Sequence, residues 1–134
     1  MIGLRFVSIP GALLSLVGPS GPGAAPREDP LTHALAGRTR GQSVACVEAS
    51  RLDPPQVIDE KTLLYRESGR RTWRNDLPEA CRGLRPMSTL VTAVFGSQLC
   101  RDDSFRALDP GSLISTTTCR LGRFTPYDRP TLPK

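Results

Sequence analysis

Cysteines at 46, 81, 100 and 119, a single histidine at 33 and two acid pairs, Asp59-Glu60 and Asp102-Asp103, are the side chains of widest chemical range in this sequence. Zinc sites use close pairs such as Cys-x2-Cys, and a thioredoxin-like couple needs Cys-x-x-Cys. Here the steps between successive cysteines are 35, 19 and 19 residues. That spacing favours two disulfides over either alternative. Nucleophilic catalysis of the Ser-His-Asp or Cys-His kind needs a firmly held histidine. His33 lies in a stretch without packing periodicity and reads as an exposed linker residue. Serine hydrolase, thiol protease and two-histidine ribonuclease chemistries are therefore disfavoured. A calcium loop needs several oxygens at set spacing around a tight glycine. Neither acid pair has that pattern, and both read as solvated turn residues. No catalytic, cofactor-binding or metal-ligating residue is assigned.

One segment suggests a ligand surface. Arg66, Arg70, Arg71 and Arg74 cluster around Tyr65 and Trp73. Arginines beside aromatic rings can hold polyanions or stack on sugars and bases. The competing reading places Tyr65 and Trp73 in the core and leaves the arginines as a solvated hairpin tip, with Glu67 and Asp76 diluting the field. It is favoured, because the chain has few other aromatics from which to build a core. The formal net charge is +5, with lysine only at Lys61 and Lys134. A modest positive charge suits acidic surfaces. Acids and bases are interspersed, so no long run of one sign exists.

The N-terminus reads as an export signal over residues 1–25. Arg5 is its only charge, Phe6 to Val17 is mostly apolar, and Gly23-Ala24-Ala25 supplies small residues for cleavage after Ala25. About 20 apolar residues are needed to span a bilayer, which the run does not supply. The expected mature chain thus has no transmembrane segment and is periplasmic or secreted. Residues 26–42 read as a flexible linker, 43–124 as the folded domain, and 125–134, with Pro126, Pro130 and Pro133, as an irregular tail.

The expected fold is mainly β: a small antiparallel sheet or barrel stapled by two disulfides. Val44–Ala49, Val57-Ile58, Ser104–Leu108 and Cys119–Phe124 read as strands. Thr62–Glu67 and Thr72–Leu77 form the clearest hairpin. A tight turn at Ser68-Gly69 would set Leu64 opposite Trp73 and Tyr65 opposite Thr72. Pro78-Glu79-Ala80 suggests one helical turn. Met87–Leu99 fits a helical stripe, but its β-branched content favours strand. The expected core is Val44, Val47, Leu64, Tyr65, Trp73, Leu77, Leu90, Val94, Leu99, Phe105, Leu108, Leu121 and Phe124. Four cysteines allow three connectivities. The favoured one is Cys46–Cys119 with Cys81–Cys100, which ties the opening strand to the closing strand.

Five segments in order, C-V-E-A-S-R at 46–51, V-I-D-E-K-T-L-L-Y at 57–65, W-R-N-D-L-P-E-A-C-R-G-L at 73–84, L-C-R-D-D at 99–103 and C-R-L-G-R-F at 119–124, resemble a family of short exported four-cysteine proteobacterial proteins of unknown function. The resemblance implies an exported small β domain and brings no catalytic residues. The functional expectation is a non-enzymatic binding or structural module of the cell envelope. Its partner would be an acidic envelope component or a periplasmic protein; nucleic acid is disfavoured. The alternatives are a small periplasmic inhibitor of a lysozyme or protease, suited to a protruding rigid loop, and a carboxylate-dependent hydrolase, which needs two acids roughly 5–10 Å apart in a cleft.

Overall fold

β-Branched, aromatic and leucine side chains dominate the run from 62 to 67, and it pairs with 71–76 as the central hairpin. The computed structural model describes residues 27–112, 114–115 and 117–131, with residues 3, 10–12, 14, 16–18 and 21. The proposed cleavage site at 23–25 and most of the apolar run before it lie outside the described residues. The elements are helix α1 (Pro30–Leu35) and strands β1 (Thr39–Arg40), β2 (Cys46–Glu48), β3 (Gln56–Val57), β4 (Thr62–Glu67), β5 (Arg71–Asp76), β6 (Thr89–Thr92), β7 (Gln98–Cys100), β8 (Ser104–Leu108), β9 (Cys119–Arg120) and β10 (Phe124–Asp128). They form a five-stranded sheet ordered β1-β10-β5-β4-β3, a pair β2-β7, and a three-stranded sheet β6-β8-β9. All pairings are antiparallel. The chain is mainly β with two disulfides, as its short β-rich runs and turn residues imply.

The hairpin register differs by one residue from that of a two-residue turn. The ladder continues to Glu67↔Arg71, leaving Ser68-Gly69-Arg70 as the loop, with Ser68 at φ +63°. Tyr65 therefore opposes Trp73, and Leu64 opposes Arg74. A one-residue change of register exchanges partners on each face of a strand pair. Here it puts both rings on the inner face with Leu63, Val57 and Phe124. Phe124 lies 5.8 Å from Tyr65 and 6.5 Å from Trp73, the latter edge-on. Val47, Leu77, Leu84, Leu99, Phe105, Ala107 and Leu121 complete the core, and Val44 and Leu90 pack against it. Val57, Leu63, Leu84 and Ala107 join a core that the sequence reading did not assign to them. Leu108, half-buried at the end of β8, and Val94, at 44 % exposure beyond the end of β6, leave it.

Several expected elements change at their ends. Met87–Leu99 forms strands, but two of them, β6 and β7, separated by a turn at Gly96-Ser97. Pro78-Glu79-Ala80 is a bend rather than a helical turn, because Leu77 N–H and Cys81 N–H donate to the carbonyls of Lys61 and Glu60. The expected linker holds α1 and β1. Asp29 caps α1 by accepting from Thr32 N–H, and Pro30 opens it. The expected tail is ordered through β10. Pro126 is tolerated there because it lacks a donor only on the side facing Gly41, just beyond the end of β1. On that side its carbonyl accepts from Gly41 N–H at 2.8 Å, and its ring packs where a Gly41 Cβ would stand.

The disulfides are Cys46–Cys100 and Cys81–Cys119, not the expected pairing. The premise that the first and last strands need a cysteine clamp fails: β1 is hydrogen-bonded to β10 directly. Instead β2 pairs with β7, setting Cys46 opposite Cys100. The two loops are interleaved in sequence. Each closes a span of 54 or 38 residues, worth about 4 kcal/mol in the chain-entropy account.

Between Cys119 and Phe124 the chain leaves one sheet for the other, so the single expected strand is split. Asn75, fully buried, bridges the gap: its Nδ2 donates to the Gly122 carbonyl and its Oδ1 accepts from Gly122 N–H, both at 2.8 Å. A Cβ on residue 122 would collide with the Asp76 carbonyl. Gly122→Ala should therefore cost roughly 2–4 kcal/mol, and Asn75→Leu a similar amount through two unpartnered backbone groups. Urea denaturation measures both. Non-reducing peptide mapping should recover the Cys46–Cys100 and Cys81–Cys119 linkages.

Candidate anion-binding groove

Alternation along β4 and β5 divides the arginine cluster between two faces of the sheet. Arg66 and Arg74 stand on the outer face with Leu64, Thr72 and Tyr127, since residues directly opposite in register share a face. Arg71 and Trp73 face the other way. Trp73 is 7 % exposed, packs in the core and donates from Nε1 to Glu67 Oε2 at 2.6 Å. Arg71 lies over its ring, 5.1 Å from the centroid, and forks onto Asp128 at 2.7 and 2.8 Å. Arg70 sits in the loop, its carbonyl accepting from Arg38 Nη1 and Arg129 N–H. The five residues expected to form one ligand surface, Arg66, Arg70, Arg71, Trp73 and Arg74, thus do not converge.

A different set does. A groove of about 620 Å³ lies between α1 and the outer face of the sheet, over Leu64 and Thr72. Arg38, Arg66 and Arg129 line it, with His33, Glu28, Gln56 and Ser68. Leu64 is buried but stands apart from the main core, and forms the groove's apolar floor. Arg38 is held by two carbonyls, Arg70 at 2.9 Å and Tyr127 at 3.4 Å, rather than by a carboxylate. The Arg66 and Arg129 side chains are exposed and have no hydrogen bond or ion pair among the described residues. Burial lowers the Arg38 pKa, and the charges of Arg129 and Arg66 lower it further. Three cations sharing one hollow favour an anion between them. Asp128, whose charge acts on Arg38, is already claimed by Arg71.

Sequence reading placed His33, Arg38 and Glu28 in a linker and Arg129 in a tail. The pattern Asp29-Pro30 with Gly37 eight residues after the cap was the available sign of a short helix there. The acid pairs are turn residues: Asp59 Oδ1 accepts from Lys61 N–H, and Asp103 Oδ2 from Cys100 N–H. Glu28 is the one carboxylate among the residues lining the groove. Both disulfides consume all four cysteines. Among the described residues, no group of three or more histidine, cysteine or acidic side chains is placed to hold a metal ion.

The Arg71–Asp128 pair fixes the strand that delivers Arg129. Its hydrogen bonds from Arg71 hold the Asp128 carboxyl below the usual carboxylate range. A lowered folded-state pKa contributes stability above the unfolded value and loses it as pH falls through the folded one. Asp128→Asn should thus cost about 0.5–1 kcal/mol at pH 7, and thermal denaturation should show that difference closing as pH drops below about 4. Comparison with protein-family models, curated proteins and solved structures finds no match to this chain.

Proposed function

We propose that this protein is an exported, non-enzymatic binding module of the cell envelope, and that the α1 groove holds an anionic envelope component. The observation that carries the reading is the convergence of Arg38, Arg66 and Arg129 on one hollow, none of them in an ion pair among the described residues and with Glu28 the one acid beside them. Arginine suits the task because its planar fork matches carboxylate and phosphate oxygens. The two disulfides are compatible with an extracellular or periplasmic location. No helix among the described residues is long and apolar enough to cross a membrane. The resemblance to short exported proteobacterial proteins supports the same placement. Titration of the full chain with inorganic phosphate, followed by amide chemical shifts, should perturb Ser68, Thr72 and Arg129 first. Arg66→Glu with Arg129→Glu should abolish the response. Shifts scattered evenly over the surface, or unchanged in the double variant, would overturn the groove reading. An intact Met1 on protein recovered from its host would overturn export.

A second reading, inhibition of a periplasmic or secreted enzyme, has its own observation. Phe95 is 81 % exposed at the tip of the β6–β7 turn, where Gly96 has φ +74°. The tip is held from several sides. Phe95 bridges to Gln98, Ala49 N–H donates to the Ser97 carbonyl at 3.0 Å, and the Cys46–Cys100 disulfide lies just beyond. A rigid aromatic tip loses little entropy on entering an apolar pocket. This reading expects stoichiometric inhibition of a chymotrypsin-like protease or a lysozyme, lost in Phe95→Ala. Full enzyme activity at saturating wild-type protein would sink it.

A further inference from the structure

The arginines of the outer face do not stop at the groove. Register aligns Arg66 on β4, Thr72 on β5, Tyr127 on β10 and Arg40 on β1 in one row across four strands. Three inter-strand steps make that row about 14 Å long. Arg74 stands in the next row, paired with Asp76 at 2.9 Å. At the far end Arg40 and Arg123 line a second hollow of about 410 Å³ with Ser43 and Thr125. Arg40 is exposed and has no side-chain partner among the described residues, and Arg123 donates to the Ser43 carbonyl. Asp76 and Asp102 also line this hollow, each already in an ion pair with an arginine.

We propose that the ligand is a linear anionic polysaccharide laid across the outer face of the five-stranded sheet, from the α1 groove past Tyr127 to the hollow beside Arg40. This rests on the groove as an anion site and extends it. Cations at both ends of a shallow face, with the half-buried Tyr127 between them and the Ser43 hydroxyl, bonded to Thr125 Oγ1, in the far hollow, match a chain that carries separated negative charges and many hydroxyl groups. A small anion needs only one end. A single-stranded nucleic acid needs a series of exposed rings on which bases stack. Among the described residues this face has Tyr127, half-buried, with the His33 ring at its groove end, because Trp73 and Tyr65 point into the core.

The test is a length series of oligogalacturonates, from monomer to octamer, titrated calorimetrically against the full chain, with a DNA oligonucleotide of equal charge alongside. Affinity should rise with length until the oligomer spans the face and then level off. Arg40→Glu alters an exposed, unpartnered residue and so leaves the fold intact. It should weaken the long oligomers roughly three- to tenfold and leave the monomer unaffected. Binding of the monomer with no gain from length, or long oligomers indifferent to Arg40→Glu, would overturn the extended track while leaving the groove standing. Failure of every galacturonate and of phosphate would remove both. Tighter binding of the oligonucleotide would overturn the polysaccharide assignment.

Discussion

A buried primary amide is tolerable only when both its ends are bonded, and the Asn75 side chain meets that condition with the two backbone groups of a single residue, Gly122. The pair joins β5, at the centre of the large sheet, to the point where the chain crosses from β9 to β10. Everything after that crossing depends on it. β10 inserts between β1 and β5, Phe124 drops between Tyr65 and Trp73, and Arg129 is carried to the groove. Hydrophobic burial alone would not select this crossing point, since apolar contacts are non-directional. The amide supplies the direction, and the missing Cβ at 122 supplies the space.

The strands built from alternating side chains were legible in the sequence. Ser104–Leu108 and Thr62–Glu67 carry their own pattern and turn residues, and the structure has them at those limits. What failed to show was information held between distant segments. The hairpin register turns on whether Arg70 belongs to the loop, which is decided when its carbonyl receives Arg38 and Arg129. Pro126 looked like the end of regular structure because the residue that accommodates it, Gly41, lies in a different segment. The cysteine pairing follows from β2 lying beside β7, a neighbour relation that spacing does not encode. The groove was illegible for the same reason. It is assembled from both of the segments that looked least structured, and the arginines that looked most suggestive were half structural.

That division of arginines is itself a physical statement. Arg71 is fully engaged: a fork onto Asp128 and a ring beneath it. It secures one end of β10 to β5. Arg38, Arg66 and Arg129, gathered at the groove, are arranged against one another instead. Period-two alternation sorts neighbouring residues of one type into opposite faces, and so into opposite uses. A cluster in sequence is therefore a poor guide to a cluster in space wherever strands are concerned.

The interleaving of the disulfides bears on the exposed turn at Phe95. The segment from 81 to 100 is spanned by both bridges at once, since Cys46 and Cys81 lie before it and Cys100 and Cys119 after it. A single cut of the backbone at the tip would leave two chains doubly cross-linked, with β6 still laddered to β8 and β7 still laddered to β2. The new ends would have nowhere to diffuse. The exposed turn at Phe95 is thus also a place whose scission the covalent framework absorbs.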